Sequence, residues 1–177
     1  WLHREMQPVI SSDTFFLGRQ GQPMITDPDD PGRELGFVQF LGGVQDQVDI
    51  VAGGFPESGI TQIDEGVYRA SAVIGHQVVS AFGIDLGDVI WLAQAQVSDV
   101  DSMATFDPRP RLEIEVIGII EARDLEAEYW LGNEQRFMVE GIPVNNEPPE
   151  AAFFLSKQGM LEGMGNAFPG TLVNYWW

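Results

Sequence analysis

The sequence predicts an α+β fold, with a mixed or antiparallel sheet or a small barrel-like β core carrying short helices. Three observations predict it. Short apolar runs rich in Val, Ile and Phe outnumber the stretches with helical spacing. The 177 residues, 44% hydrophobic, are enough for one sizeable core. A segment from Val67 to Gly118 also sets a strand, a short helix, a tight turn and a second strand in succession, with its centre at Phe82 to Leu92, FGIDLGDVIWL.

Composition excludes several functions before any element is placed. Nine basic residues stand against 27 acidic ones, a formal charge of -18. Each third of the chain carries three basic and nine acidic side chains, so the acidity is global. Such a field repels phosphate backbones and anionic headgroups, which argues against nucleic acid as a partner. Cysteine is absent, which removes disulfides, thiolate chemistry and Cys-based zinc sites. No apolar run approaches the roughly 18 to 20 residues that cross a bilayer. The start at Trp1 and the finish at Tyr175, Trp176 and Trp177 suggest an excised fragment. Those aromatic ends fit either membrane-interface anchors or a buried terminal strand.

Taken in order, Phe15 to Leu17 is a short strand candidate. Gly18 to Gly36, with Gly21, Pro23, Pro28, Pro31 and Gly32, is an exposed connection. Phe37 to Leu41 is a strand or a helical turn, and Val48 to Val51 is a half-buried strand with Val48 and Ile50 on one face. Gly53 and Gly54 before Phe55 and Pro56 mark a place where φ is positive or backbones approach closely. Gly59 to Gly66 is polar and turn-like. Val67 to Ile74 is a strand, after which His76 to Phe82 forms a helix with Val78, Val79 and Phe82 as its apolar stripe. Gly83 stands where a left-handed C-terminal residue belongs. In the turn that follows, Ile84 and Leu86 are expected to point inward, Gly87 to supply the unusual geometry, and Asp88 to accept backbone N–H bonds.

Val89 to Val97 continues as a strand whose expected neighbour is Leu112 to Ile120, with Ser98 to Arg111 as the connection. Glu121 to Gln135 is a short helix or an irregular exit. Phe137 to Val139, Ala151 to Leu155 and Thr171 to Trp177 are strand candidates. Lys157 to Phe168 has helical spacing weakened by Gly159, Gly163 and Gly165. No internal repeat is evident.

Residues with chemistry are sparse. His3 and His76 are the two histidines, without a cysteine between them to suggest zinc. Asp27, Asp29 and Asp30 open like a calcium loop but lack its alternating spacing and closing glutamate, so they are expected to form a charged turn. Glu121, Asp124, Glu126 and Glu128 are expected to be a solvated face. Tyr129 and Trp130 beside them suit a sugar platform or partner contact, and equally a hydrophobic plug. No nucleophile elbow, phosphate loop or dinucleotide fingerprint is present. No cofactor, no metal and no catalytic residue is expected.

The run YRASAVIGHQVVSAFGIDLGDVIWL, then RLEIEVIGIIEARDLEAEYWLG, resembles the periplasmic core domain of MacB-like and FtsX-like ABC-transporter permeases. The shared pieces are the strand, the short helix, the turn through Gly83, Gly87 and Asp88, and the later strand Glu115 to Ile120 with Gly118 inside it. GGVQDQVDIVAGGFP at Gly42 to Pro56 is similar to a further family segment, with Gly54 and Phe55 where Gly-Arg is common. A Gly-Asp turn after a short apolar helix also resembles that of small double-psi barrels. The permease resemblance covers residues 35 to 132 in order. It implies one extracytoplasmic domain over 1–177, with a core at 35–132 and the 1–34 and 133–177 segments packed on it. It further implies a domain held between transmembrane helices of the same permease, coupled indirectly to an ABC ATPase subunit. The partner outside would be a twin permease, another protein or the substrate. ATP hydrolysis would belong to the separate ATPase. Gly83, Gly87, Asp88 and Gly118 would be structural, with Tyr129 and Trp130 as candidate partner contacts. The alternative is a free-standing extracytoplasmic module that binds carbohydrate.

Overall fold

A computed structural model describes residues 8–22, 24–27, 29–57, 59–94, 111–130, 149–169 and 174–176. His3, the strand candidate at 137–139, the 95–97 end of the Val89 to Val97 strand, the 98–110 part of the long connection, residues 131–135 of the exit segment and residues 171–173 and 177 of the last strand candidate lie outside the described residues. The fold is α+β, as the sequence predicts. Among the described residues, ten strands join one mixed sheet and two short helices pack on it.

In chain order these are β1 (Val9–Ser11), β2 (Phe15–Arg19), β3 (Leu35–Leu41), β4 (Val48–Gly53), β5 (Ile60–Asp64) and β6 (Val67–Gly75). Then come α1 (His76–Phe82), β7 (Val89–Gln94), β8 (Leu112–Ala122), β9 (Glu150–Leu155), α2 (Lys157–Ala167) and β10 (Asn174–Trp176). The predicted bounds of α1 are the observed ones, because Gly75 is its extended N-cap and Gly83, at φ 62°, ends it. A helix of seven residues is unstable alone, so burial of Val78 and Phe82 holds it.

The pairing closes on itself. β2 pairs with β7, β7 with β8, β8 with β6, β6 with β9, β9 with β3, and β3 again with β2. Six strands therefore form a ring, with β6–β8 and β3–β9 parallel and the other pairs antiparallel. This is the small-barrel version of the predicted core. Closure leaves these strands without open edges, and alternate residues point inward. The inside is filled by Phe15, Leu17, Val38, Ala72, Ile74, Ile90, Leu92, Ile114, Val116, Phe153 and Leu155. A second apolar cluster lies outside the ring, where Phe37, Leu41, Val48, Val73, Ile120 and Phe154 gather around Trp130.

The barrel also has an internal two-fold relation that the sequence reading missed. β2, β3, β6 and α1 form one half; β7, β8, β9 and α2 form the other. Exchanging the halves reproduces every pairing of the ring: β2–β3 becomes β7–β8, and β3–β9 becomes β8–β6. Phe15 then corresponds to Ile90, Val38 to Val116, Ala72 to Phe153, and His76, the first residue of α1, to Lys157, the first of α2.

Several finer expectations are corrected. A core limited to 35–132 omits β2 and β9, without which the ring does not close. The polar Gly59–Gly66 segment holds β5, an exposed edge strand kept by its ladder to β6. Being unburied, it needs no apolar alternation. Leu86 is 45% exposed, because the turn docks on the barrel through the Gly87 backbone and leaves that side chain outside, whereas Ile84 is fully buried. Ile50 is exposed rather than sharing the buried face of Val48, since β4 runs past the core and shifts register between Ile50 and Ala52.

Candidate functional site

The Gly87-Asp88 turn joins the end of α1 to β7 by backbone bonds. Gly87 takes φ 90°, and its N–H donates to Val116 O at 2.8 Å. Val116 N–H donates back to Asp88 O at 2.9 Å. The Asp88 carboxylate accepts the Asp85 N–H at 2.9 Å, the side-chain role expected of it. Gly83 closes α1 by donating to Val79 O at 2.9 Å. These bonds hold the turn against β8.

Gly118 serves a different need. A Cβ there would stand 2.5 Å from Gly54 O and 2.9 Å from Val73 Cγ1. Opposite it in register is Gly53, at φ 70°, whose added Cβ would run into the Ile117 carbonyl oxygen. The two glycines let β4 cross close over β8. Both alternatives offered for the Gly53-Gly54 pair hold at Gly53, while Gly54 has open space around it.

Arg19 carried no signal in the sequence, yet it ties three elements. Its Nη2 donates to Glu34 Oε1 at 2.7 Å and to Phe82 O at 2.8 Å, and its Nη1 donates to Gly83 O at 3.2 Å. The guanidinium thus satisfies carbonyls at the C-terminus of α1, where a cation is favoured. Only the folded chain brings these residues together.

Tyr129 and Trp130 are the plug of the two readings open for them. Trp130 is fully buried, and its Nε1–H donates to Asp124 O at 2.8 Å. The Tyr129 ring meets it edge-on, with centroids 4.9 Å apart, and its hydroxyl donates to Gly42 O at 2.8 Å. Burial, and next the negative charge of Asp46, raise the Tyr129 pKa well above the ordinary phenol value. Trp130 therefore presents no surface to a partner. Placing it in the outer cluster releases more free energy than leaving an indole in water.

The aspartates of DPDDPG form a charged turn: Asp27 Oδ1 accepts from Asp29 N–H, and Asp30 Oδ1 from Gly32 N–H. Among the described residues no group of acidic or histidine side chains is arranged to hold a metal ion, and no helix is long and apolar enough to cross a membrane. The strands β1 and β10 lie antiparallel, with Val9 opposite Trp176. The described chain thus enters and leaves the barrel side by side.

No family model and no curated protein matches the chain.

Proposed function

We propose that the chain is an extracytoplasmic domain of an ABC-transporter permease, one that meets a substrate or partner outside the membrane and relays the cytoplasmic ATPase cycle by changing its docking. The observation that carries this reading is the order of strand, short helix, Gly-Asp turn and strand at β6, α1, residues 83–88 and β7, which resembles that of MacB-like and FtsX-like permeases. The β1–β10 pair, with Val9 opposite Trp176, is compatible with a domain set into a loop between two membrane helices. A barrel with an apolar, side-chain-filled interior suits rigid-body relay, since force on one strand reaches its neighbours through packed side chains.

Adjacent ends make a direct test available. In the full-length protein, residues 9–176 are replaced by a short Gly/Ser linker. The reading predicts a permease that still inserts and still binds its ATPase, but whose ATP hydrolysis no longer responds to substrate. A full-length protein without membrane helices on both sides, or coupling that survives the deletion, overturns it.

A further inference from the structure

We propose that the outer face of the barrel beside the Gly87-Asp88 turn binds a neutral saccharide, with Trp91 as its platform. Gly18, Trp91, Glu113 and Arg69 lie side by side in register across β2, β7, β8 and β6. Ile90 and Leu92 point into the barrel, so Trp91 between them points out. Around it lies a depression of about 340 Å³ lined by Arg19, Gln20, Arg69, Asp88, Trp91 and Glu113. That volume is near the lower end of the range for small-ligand sites, about 300 to 1,000 Å³.

The polar groups there are fixed in place but not all used. Arg69 donates from both Nε and Nη2 to the single oxygen Glu113 Oε2, at 3.0 and 2.6 Å. Arg69 Nη1 and Glu113 Oε1 have no hydrogen-bond partner among the described residues. Asp88 Oδ2 is held by Asp85 N–H, while Oδ1 is without a partner there. The Arg19 guanidinium is committed to Gln22, Glu34 and the end of α1, so it forms a rigid wall. Among the described residues, Glu113 Oε1, Asp88 Oδ1, Arg69 Nη1 and the Gln20 amide thus stand without partners around an aromatic side chain.

Charge decides between ligand classes. Arg19 is neutralised by Glu34 and Arg69 by Glu113, which leaves Asp88 as the carboxylate without a cation among the described residues in a molecule of net charge -18, so an anion is repelled from the depression. Sugar hydroxyls both donate and accept, matching the free carboxylate oxygens and the free guanidinium nitrogen. The apolar face of a sugar ring covers an indole well. The aromatic platform sought at Tyr129 and Trp130 thus stands at Trp91. The inference does not depend on the permease reading.

The test titrates the 177-residue chain with cellobiose, maltose and chitobiose, followed by saturation-transfer NMR and tryptophan fluorescence, with choline and sulfate as ionic probes. At least one disaccharide is expected to bind saturably with a Kd of about 1 mM or tighter. Trp91→Ala and Glu113→Gln should each weaken it by about tenfold or more, and Leu125→Ala, at an exposed residue outside the depression, should leave it unchanged. Trp91→Phe keeps an aromatic ring and should weaken it less, which gives a readout if the alanine variant does not fold. Binding of none of the three at about 10 mM, or binding that survives Trp91→Ala in folded protein, overturns the proposal. Choline or sulfate saturating the same residues instead overturns it too.

Discussion

Ser12 and Gly87 occupy the same position in the two halves of the barrel. Gly87 N–H donates to Val116 O at 2.8 Å, and Ser12 N–H donates to Val38 O at 3.0 Å. The return bond differs. Val116 N–H goes to the Asp88 carbonyl, whereas Val38 N–H goes to the Ser12 hydroxyl at 3.1 Å. Ser12 is 6% exposed, so removing its hydroxyl strands a buried N–H that water does not reach. Ser12→Ala should cost about 1 to 3 kcal/mol. Asp88→Ala removes a bond at the exposed turn and should cost on the order of 1 kcal/mol. Urea denaturation midpoints check the order; a Ser12→Ala midpoint equal to wild type would show that the hydroxyl does not hold the Val38 N–H.

The repeat was illegible in the sequence because the halves share geometry and divide volume differently. Ile114 and Ala72 in the barrel wall correspond to Gly36 and Phe153, large beside small in one case and small beside large in the other. Summed volume is kept while residue identity is not. By contrast, α1, β7 and β8 were legible because glycines bracket the helix and the inward residues of the strands alternate. Burial of Trp130 was not, since its cover comes from strands far away in the chain.

Gly36 measures that division of volume. A Cβ there would meet Ala151 O at 2.6 Å and Phe153 Cε2 at 3.1 Å. Gly36→Ala should destabilise by about 1 to 3 kcal/mol, since a backbone carbonyl cannot swing away. Gly165, in α2, has open space and no positive φ, so Gly165→Ala should stabilise by about 0.5 to 1 kcal/mol. Thermal melts of the two variants should move in opposite directions.

Alkaline pH tests the Tyr129 plug. Its folded pKa lies above the ordinary value of 10.0, so above that pH the unfolded chain loses a proton that the folded chain keeps. The stability contributed by the buried phenol is therefore full below pH 10 and declines as pH rises toward the folded value. Denaturation midpoints followed upward from pH 10 should fall, and more steeply in wild type than in Tyr129→Phe. Equal slopes would place that hydroxyl in water.

Arg19 and Arg123 separate a fixed ion pair from a loose one. The Arg19 side chain is 15% exposed and also caps α1, whereas Arg123 and its partner Asp49 are 54% and 68% exposed. Arg19→Met should cost about 1 to 3 kcal/mol through the unpaired carbonyls of Phe82 and Gly83, even with partial solvent screening of Glu34. Arg123→Met should cost no more than about 1 kcal/mol. Chemical denaturation of both variants checks the difference.

The location of the barrel is tested most directly by surface labelling. The sequence has no cysteine, and Ile50 on β4 is 51% exposed, so Ile50→Cys adds one accessible thiol. It is introduced into the full-length protein after any other cysteines have been replaced, and intact cells are treated with a maleimide that does not cross the cytoplasmic membrane. An extracytoplasmic permease domain predicts labelling without permeabilisation. Labelling only after the cytoplasmic membrane is opened would contradict it.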